Sequence, residues 1–245
     1  MWIAAGLVLV CALLAAPGFR RRRGRSAPLF RGTGSHWRRQ YSRRSFLMLG
    51  AAVAGAGVVV YSGLDAAVSD WHERKVRSAA SNRVSRVGYE LGNRPWFLVW
   101  LAVAAVDAWV RSGPFSRWGR ANFEAMVVGL PILWTVQRGL GADRPSAEFP
   151  TPHWQPLHKD HAASGHAFIA AVPWLNAARA LGLHRWQPLL LAGSWLSAWS
   201  RLNDRKHYLS QIWLGWFIAW QATAAAGYRG QAPAATAVEA AEESQ

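Results

Sequence analysis

Seven apolar runs, separated by basic or mixed-charge blocks, constrain this chain more than any other feature. They cover about 2–17, 46–62, 95–110, 123–137, 167–183, 187–199 and 208–226. None shows the strict alternation of a half-buried strand, no heptad or internal repeat links them, and their length suits helices. The cations between them are unevenly placed. Residues 1–64 hold ten Arg and no acid, and the first carboxylate is Asp65. A basic arm of this kind can bind nucleic acid. Here, however, the clusters at 20–25, 37–39 and 42–44 flank apolar helices, which is how cytoplasmic anchors of membrane segments are built. A membrane is therefore expected as a partner and nucleic acid is not.

Two further features fit an all-α membrane bundle. The chain has 16 Trp, and Trp96, Trp109, Trp134, Trp186, Trp199 and Trp213 stand near segment ends, as interfacial aromatic belts do. Gly and Ala are frequent inside the runs, which allows close helix packing in lipid. Against this, several runs fall short of the roughly 20 residues that span a bilayer comfortably, and the mean hydropathy is +0.00. The single Cys11 excludes an intramolecular disulfide. The expected organisation has three parts. Residues 1–45 form an apolar helix followed by an Arg-rich cytoplasmic segment, 46–227 a helical membrane domain, and 228–245 an acidic tail without fixed structure. "SRRSFLM" at 42–48 resembles a twin-arginine export signal, but the run that follows serves as an uncleaved anchor. Residues 2–17 add one span to a core of six.

With 18–45 placed in the cytoplasm, the Arg asymmetry puts 63–94, 138–166 and 200–206 outside. The cations of 69–94 then call for an amphipathic helix lying on the outer interface. The two later external segments carry the chemistry. The first runs from "QRGLGADRP" to "HKDHAASGHAF", and the second is "SRLNDRKHYLSQ". Two Arg at the mouth of a bundle suit bidentate contacts to phosphate, and the start of a helix favours an anion. His166 can deliver a proton and His207 can attack phosphorus as neutral imidazole. His153, His158, His161 and His166 invite a zinc reading, but they lack a defensible ligand spacing. His158–His161 read instead as the lining of an entrance for a headgroup. Asp107 and Glu124, in apolar segments, are expected to be paired or solvated.

The three blocks together resemble the type-2 phosphatidic acid phosphatase superfamily, whose signature is Lys-x6-Arg-Pro, then Pro-Ser-Gly-His, then Ser-Arg-x5-His-x3-Asp. The matching residues are Arg144-Pro145, then Ser164, Gly165 and His166, then Ser200, Arg201 and His207; Gln137, Ala163 and Gln211 stand where the pattern has Lys, Pro and Asp. The resemblance covers about 46–227 and implies a six-helix transmembrane bundle, here with the extra N-terminal helix. It implies that His207 forms a phosphohistidine, that His166 is the general acid, and that Arg144, Arg201 and the amides around Ser164 and Gly165 hold the phosphoryl oxygens. It implies no metal and no cofactor. Arg138 would partly replace the cation missing at Gln137. Gln211, one helical turn after His207, would orient the imidazole without charging it, so that an Asp at 211 is expected to raise turnover.

The function so implied is hydrolysis of a phosphomonoester or pyrophosphate of a lipid by a multi-pass bacterial inner-membrane protein, with the site facing the periplasm. Two alternatives share the site: a member that binds phospholipid headgroups with little or no turnover, and a soluble exported acid phosphatase or haloperoxidase. Neither the particular lipid nor the oligomeric state is encoded in these motifs.

Overall fold

The computed structural model describes residues 33–110, 113–147, 153–180 and 186–227, and every regular element among them is a helix. In chain order these are α1 (Thr33–Gln40), α2 (Arg43–Tyr61), α3 (Leu64–Lys75), α4 (Ala79–Leu91), α5 (Pro95–Trp109) and α6 (Pro114–Leu140), followed by α7 (Gly165–Ala180), α8 (Gln187–Ser194), α9 (Leu196–Asn203) and α10 (Leu209–Ala226). The expected span over 2–17 and the tail at 228–245 lie outside the described residues.

Helix α10 is the centre of the bundle. It packs on α7, α6 and α2, and also touches α1, α3 and α9. Leu214, Ile218, Ala219 and Ala222 are fully buried along it and meet Met126, Val128, Leu133, Phe168 and Val172 from α6 and α7. Burial of the larger of these side chains is worth roughly 1.5–3 kcal/mol each. The N-terminal segment joins this core. Tyr41 Oη donates to Val128 O (3.2 Å), Gln221 Nε2 donates to Ser45 O (2.8 Å), and Gln40 is fully buried.

The apolar runs and the helices differ in two places. The run at 187–199 is not one helix: α8 ends at Ser194 and α9 begins at Leu196, each eight residues long. The break is made by aromatic packing. Trp195 stacks on Trp216 at 4.8 Å and on Trp213 at 6.2 Å, while Trp216 Nε1 donates to Ser194 Oγ. The run at 123–137 is the middle of a much longer helix. α6 starts at Pro114 and carries Arg117 and Arg120 within it. Those cations look like a loop in sequence, but Arg120 is spent internally. Its Nε donates to Glu124 Oε1 (2.8 Å), Glu124 also meets His36 (3.2 Å), and Asp107 accepts from Ser116 Oγ (2.8 Å). Asp107 and Glu124 are thus paired, as expected.

By length and composition one described helix, α2, could cross a membrane; α5 is apolar but shorter. Only 17% of α2's most apolar stretch is buried inside the protein. Phe46, Leu47, Val58 and Tyr61 are exposed on it. Trp109, Trp134 and Trp186 are exposed too, whereas Trp96 and Trp213 pack on the core.

α3 and α4 do not simply float outside the bundle. α4 packs along α9, where Ser85 Oγ donates to Asp204 Oδ1 (2.7 Å) and Asn203 Nδ2 donates to Asn82 Oδ1 (2.9 Å). Gly92, just past its end, allows the closest approach. A Cβ there would sit 2.7 Å from His166 O and 2.5 Å from Ser197 Oγ. That contact sets the next residue, Asn93, against His166. Asp65 at the start of α3 is fully buried and caps the first turn of α10, accepting from Ser210 N (2.9 Å) and from Ser210 Oγ.

Candidate active site

The three polar blocks converge at the N-terminal end of α10, and Gln211 is the residue that joins them. Its Nε2 donates to Asp143 O (2.8 Å), beside Arg144; its own backbone carbonyl accepts from Ser164 N (2.9 Å); its Oε1 accepts from Tyr208 N (3.2 Å) and lies 2.8 Å from His207 Nδ1. The bond to Tyr208 N is one half of a capping box at the third helical position. Rotating the amide by 180° would set oxygen against the Asp143 carbonyl and NH2 against the Tyr208 N–H. The orientation is therefore forced, and with it the tautomer of the ring. Nδ1 of His207 carries the proton and donates to Gln211, so Nε2 holds the free lone pair.

His207 is 7% exposed. Burial pushes its pKa down to about 3; the Gln211 bond works against this, while Arg144, His161 and Arg201 add to it. The ring is thus neutral at physiological pH, the state a nucleophile needs. Arg201, 4% exposed, pairs with Asp204 through Nη2 and lies over the Tyr89 ring, 4.8 Å from its centroid. Tyr89 stacks in turn on His166 at 5.0 Å. Asp204 therefore holds Arg201 and Ser85, and among the described residues no hydrogen bond or ion pair joins it to His207.

His166 opens α7. Its Nε2 lies 3.3 Å from Asn93 Oδ1, and Asn93 Nδ2 donates to Glu90 Oε2 (2.9 Å), which fixes that amide as well. Burial lowers the His166 pKa to about 4, helped by the charges of Arg201, Arg94 and Arg144. A bound phosphoryl dianion would oppose those same charges and return the ring toward the protonated form. Ser164 caps α7, its Oγ accepting from Ala167 N (3.3 Å). Its own N–H is spent on Gln211 O. The first-turn amides without an intrahelical acceptor are thus those of Gly165 and His166, so Ser164 contributes as a cap and not as an amide donor to an anion. Gly215, one turn beyond Gln211, is needed for this junction, since a Cβ there would stand 2.2 Å from Ser164 O.

The remaining residues singled out in the sequence divide. Arg144 is exposed, and its charge bears on His166, His207, His161 and Arg201 together. Its neighbour Pro145 is gripped by Arg205, whose Nη2 donates to Pro145 O (3.3 Å). Gln137 Nε2 donates to Ala163 O (2.8 Å), a tie between the first and second blocks. Arg138 is exposed on the last turn of α6, and no hydrogen bond or ion pair joins it to either histidine. The histidine cluster disperses. His153 stacks on Tyr61 (5.2 Å), His158 is exposed, and His161 comes to His207, ring centroids 6.3 Å apart. Among the described residues no group of three or more His, Cys, Asp or Glu converges as a metal site.

The geometry also changes what Gln211 means. An Asp at this position is one methylene shorter and has no N–H to offer Asp143 O. The expectation that it would raise turnover does not follow from a residue whose donor is already in use. Tyr89, Asn93, Arg94 and Asp143 were missed in the sequence. The first three sit on an amphipathic stretch whose periodicity gives no hint of a partner. Asp143 works through its main-chain carbonyl while its side chain holds Lys159 (3.1 Å) and Gln155 (3.1 Å).

Comparison with curated proteins and with solved structures gave no match. Comparison with family models matched the PAP2 superfamily over residues 125–231. That span contains all three blocks, from Gln137 to Gln211, and members of that superfamily are typically phosphatases. Over residues 125–231 the chain is similar to the PAP2 superfamily.

Proposed function

We propose that the protein hydrolyses a phosphate ester or diphosphate of a lipid through a phosphohistidine on His207. The observation that carries this reading is the forced tautomer. Gln211, locked by Asp143 O and Tyr208 N, leaves the lone pair of His207 Nε2 free, close to the charges of Arg144 and Arg201. Nε2 attacks phosphorus while the bond to the leaving oxygen breaks, and His166 gives that oxygen its proton. In the second step water attacks phosphorus, its proton passes to His166, and the P–N electrons return to His207. Arg144, Arg201 and the amides of Gly165 and His166 oppose the charge on the phosphoryl oxygens.

A lipid leaving group is supported by a cavity of about 600 Å³ whose walls include Trp96, Trp100, Trp118 and Trp174. His166 itself is not in its wall, but Ala170, one helical turn beyond His166, is, as is Leu91, two residues before Asn93. Its size falls in the usual range for small-molecule sites. The exposed apolar face of α2, the Arg-rich flank before it and the shorter apolar α5 support a multi-pass inner-membrane protein with the site on the periplasmic face.

The test is phosphate release by purified protein in detergent, with chelator present, from phosphatidate, phosphatidylglycerol phosphate and undecaprenyl pyrophosphate. Release is expected from at least one, with inhibition by vanadate, a mimic of pentacoordinate phosphorus. His207→Ala should abolish turnover and the acid-labile phosphoenzyme. Headgroup binding through Arg144 and Arg201 without release from any of the three would replace this reading with a binding function.

A further inference from the structure

The superfamily pattern places a lysine where this chain has Gln137, and the structure shows that Gln137 cannot take its place. The amide is neutral, and its NH2 is spent on Ala163 O. Arg138 is turned out to the surface. A phosphoryl dianion at His207 would then face Arg144 and Arg201, and Arg201 already shares its charge with Asp204.

A third group stands ready. His161 approaches His207 with ring centroids 6.3 Å apart and planes at 89°, a gap wider than van der Waals contact. Its Nδ1 lies 3.0 Å from Asp160 Oδ1. The carboxylate is on the solvent side, 62% exposed, and the imidazole is on the inner side, 30% exposed. The charged and titratable groups that bear on this ring are Arg144, Asp160, Asp143 and His207. A cation held here permanently would face Arg144 with no anion between them. An imidazole avoids that cost, because it gains its proton only when an anion arrives.

We propose that His161, oriented by Asp160, is the third cationic group of the phosphoryl site, supplying the charge that Gln137 lacks and taking up its proton together with a dianionic phosphoryl group. Burial and then Arg144 hold the ring below the usual histidine range, with Asp160 pulling the other way. A dianion beside Arg144 cancels the second effect and reverses its sign. Charged, the ring donates Nδ1–H to Asp160 and Nε2–H to a phosphoryl oxygen, a charge-assisted contact. His161 is then a binding residue that acts on the transferred group, and not the acid that serves the leaving oxygen.

The inference rests on the phosphatase reading for the identity of its natural ligand, but its test needs no turnover. Tungstate is the probe, kept dilute enough to remain monomeric, since the monomer stays a dianion and carries no titrating proton of its own across the range used. Binding to the full chain in detergent is measured by calorimetry between about pH 6 and 8, in buffers of differing ionisation enthalpy. Wild type should bind more tightly as pH falls, by up to about tenfold per unit for each proton taken up. His161→Gln should bind at least about tenfold more weakly near pH 6 and take up about one proton fewer, in line with the loss of one charged hydrogen bond. His166 and His207 titrate in both proteins, so the difference between them reports His161. His161→Lys should restore affinity near pH 8 and flatten the pH dependence. Asp160→Asn, at an exposed position, should lower proton uptake with the fold intact. A folded His161→Gln variant with wild-type affinity and proton uptake overturns the proposal, as does a His161→Lys variant that restores nothing. If tungstate binds as described but no lipid is hydrolysed, the phosphatase reading fails and the anion site stands. Turnover with His161→Gln indistinguishable from wild type in both KM and tungstate affinity overturns the anion site alone.

Discussion

Gln211→Glu exchanges one NH2 for one oxygen at the point where the three blocks meet, with almost no change in shape. The bonds that Oε1 accepts from His207 and Tyr208 can persist, but the contact with Asp143 O, 2.8 Å in the wild type, becomes oxygen against oxygen. Leaving a buried acceptor unsatisfied costs about 1–3 kcal/mol. The position is 1% exposed, so the carboxylate adds a desolvation penalty and its pKa should rise in the folded protein. A raised acid pKa has a definite signature. The variant should match wild type below the unfolded carboxylate value of about 4.3, where the protonated acid can donate to Asp143 O. It should lose stability progressively as pH rises toward the folded value. Near pH 8 a deficit of about 2 kcal/mol corresponds to a fall in Tm of roughly 4–8 °C for a chain of this size. Thermal unfolding of both proteins in detergent, from about pH 4 to pH 8, measures this directly. A variant as stable as wild type at both ends of that range, or more stable near pH 8, would refute the assignment of Gln211 as a donor to Asp143 O.

Three further outcomes follow from the same geometry. With His207 held down to about 3, the nucleophile is neutral above that value. The acidic limb of kcat/KM, which reports the free enzyme, should therefore fall well below the ordinary histidine value of about 6.5. A pH–rate profile checks this. Gly215→Ala places a methyl group 2.2 Å from Ser164 O; overpacking of this kind costs about 1–3 kcal/mol, and the displaced Ser164 should cut turnover as well as Tm. Asn93→Ala removes the acceptor at His166 Nε2 and should lower kcat on slow-leaving lipid esters by about 10- to 100-fold, toward the lower end of what acid–base groups supply, with smaller losses on an activated aryl phosphate that needs no acid.

The helical class and the meeting of Arg144, His166, Arg201 and His207 were legible in the sequence because each depends on local pattern or motif spacing. What was not legible depends on partners far along the chain. Arg117 and Arg120 look like a loop between spans, yet α6 runs through them because Glu124 and Asp107 take up the charge of Arg120. The run at 187–199 looks like one helix until Trp213 and Trp216, from α10, claim Trp195. Asn93 and Tyr89 carry no motif at all and reach His166 only because Gly92 lets the chain press against it. The two glutamines were visible, but their meaning was not. A departure from a family pattern does not say what the new side chain bonds to, and here both bond to main-chain carbonyls.

Those two glutamines have a consequence for how the site meets its surroundings. Gln137 and Gln211 tie the blocks together through neutral amides, which neither titrate nor attract counterions. A lysine and an aspartate in the same places would carry charges that respond to acidity and salt. In this chain the ties between the blocks keep the same bonds whatever the ionic strength of the medium. Sensitivity to that medium is left to the imidazoles and guanidiniums gathered at the site, so a change in salt or acidity alters their charge while the framework around them keeps its shape.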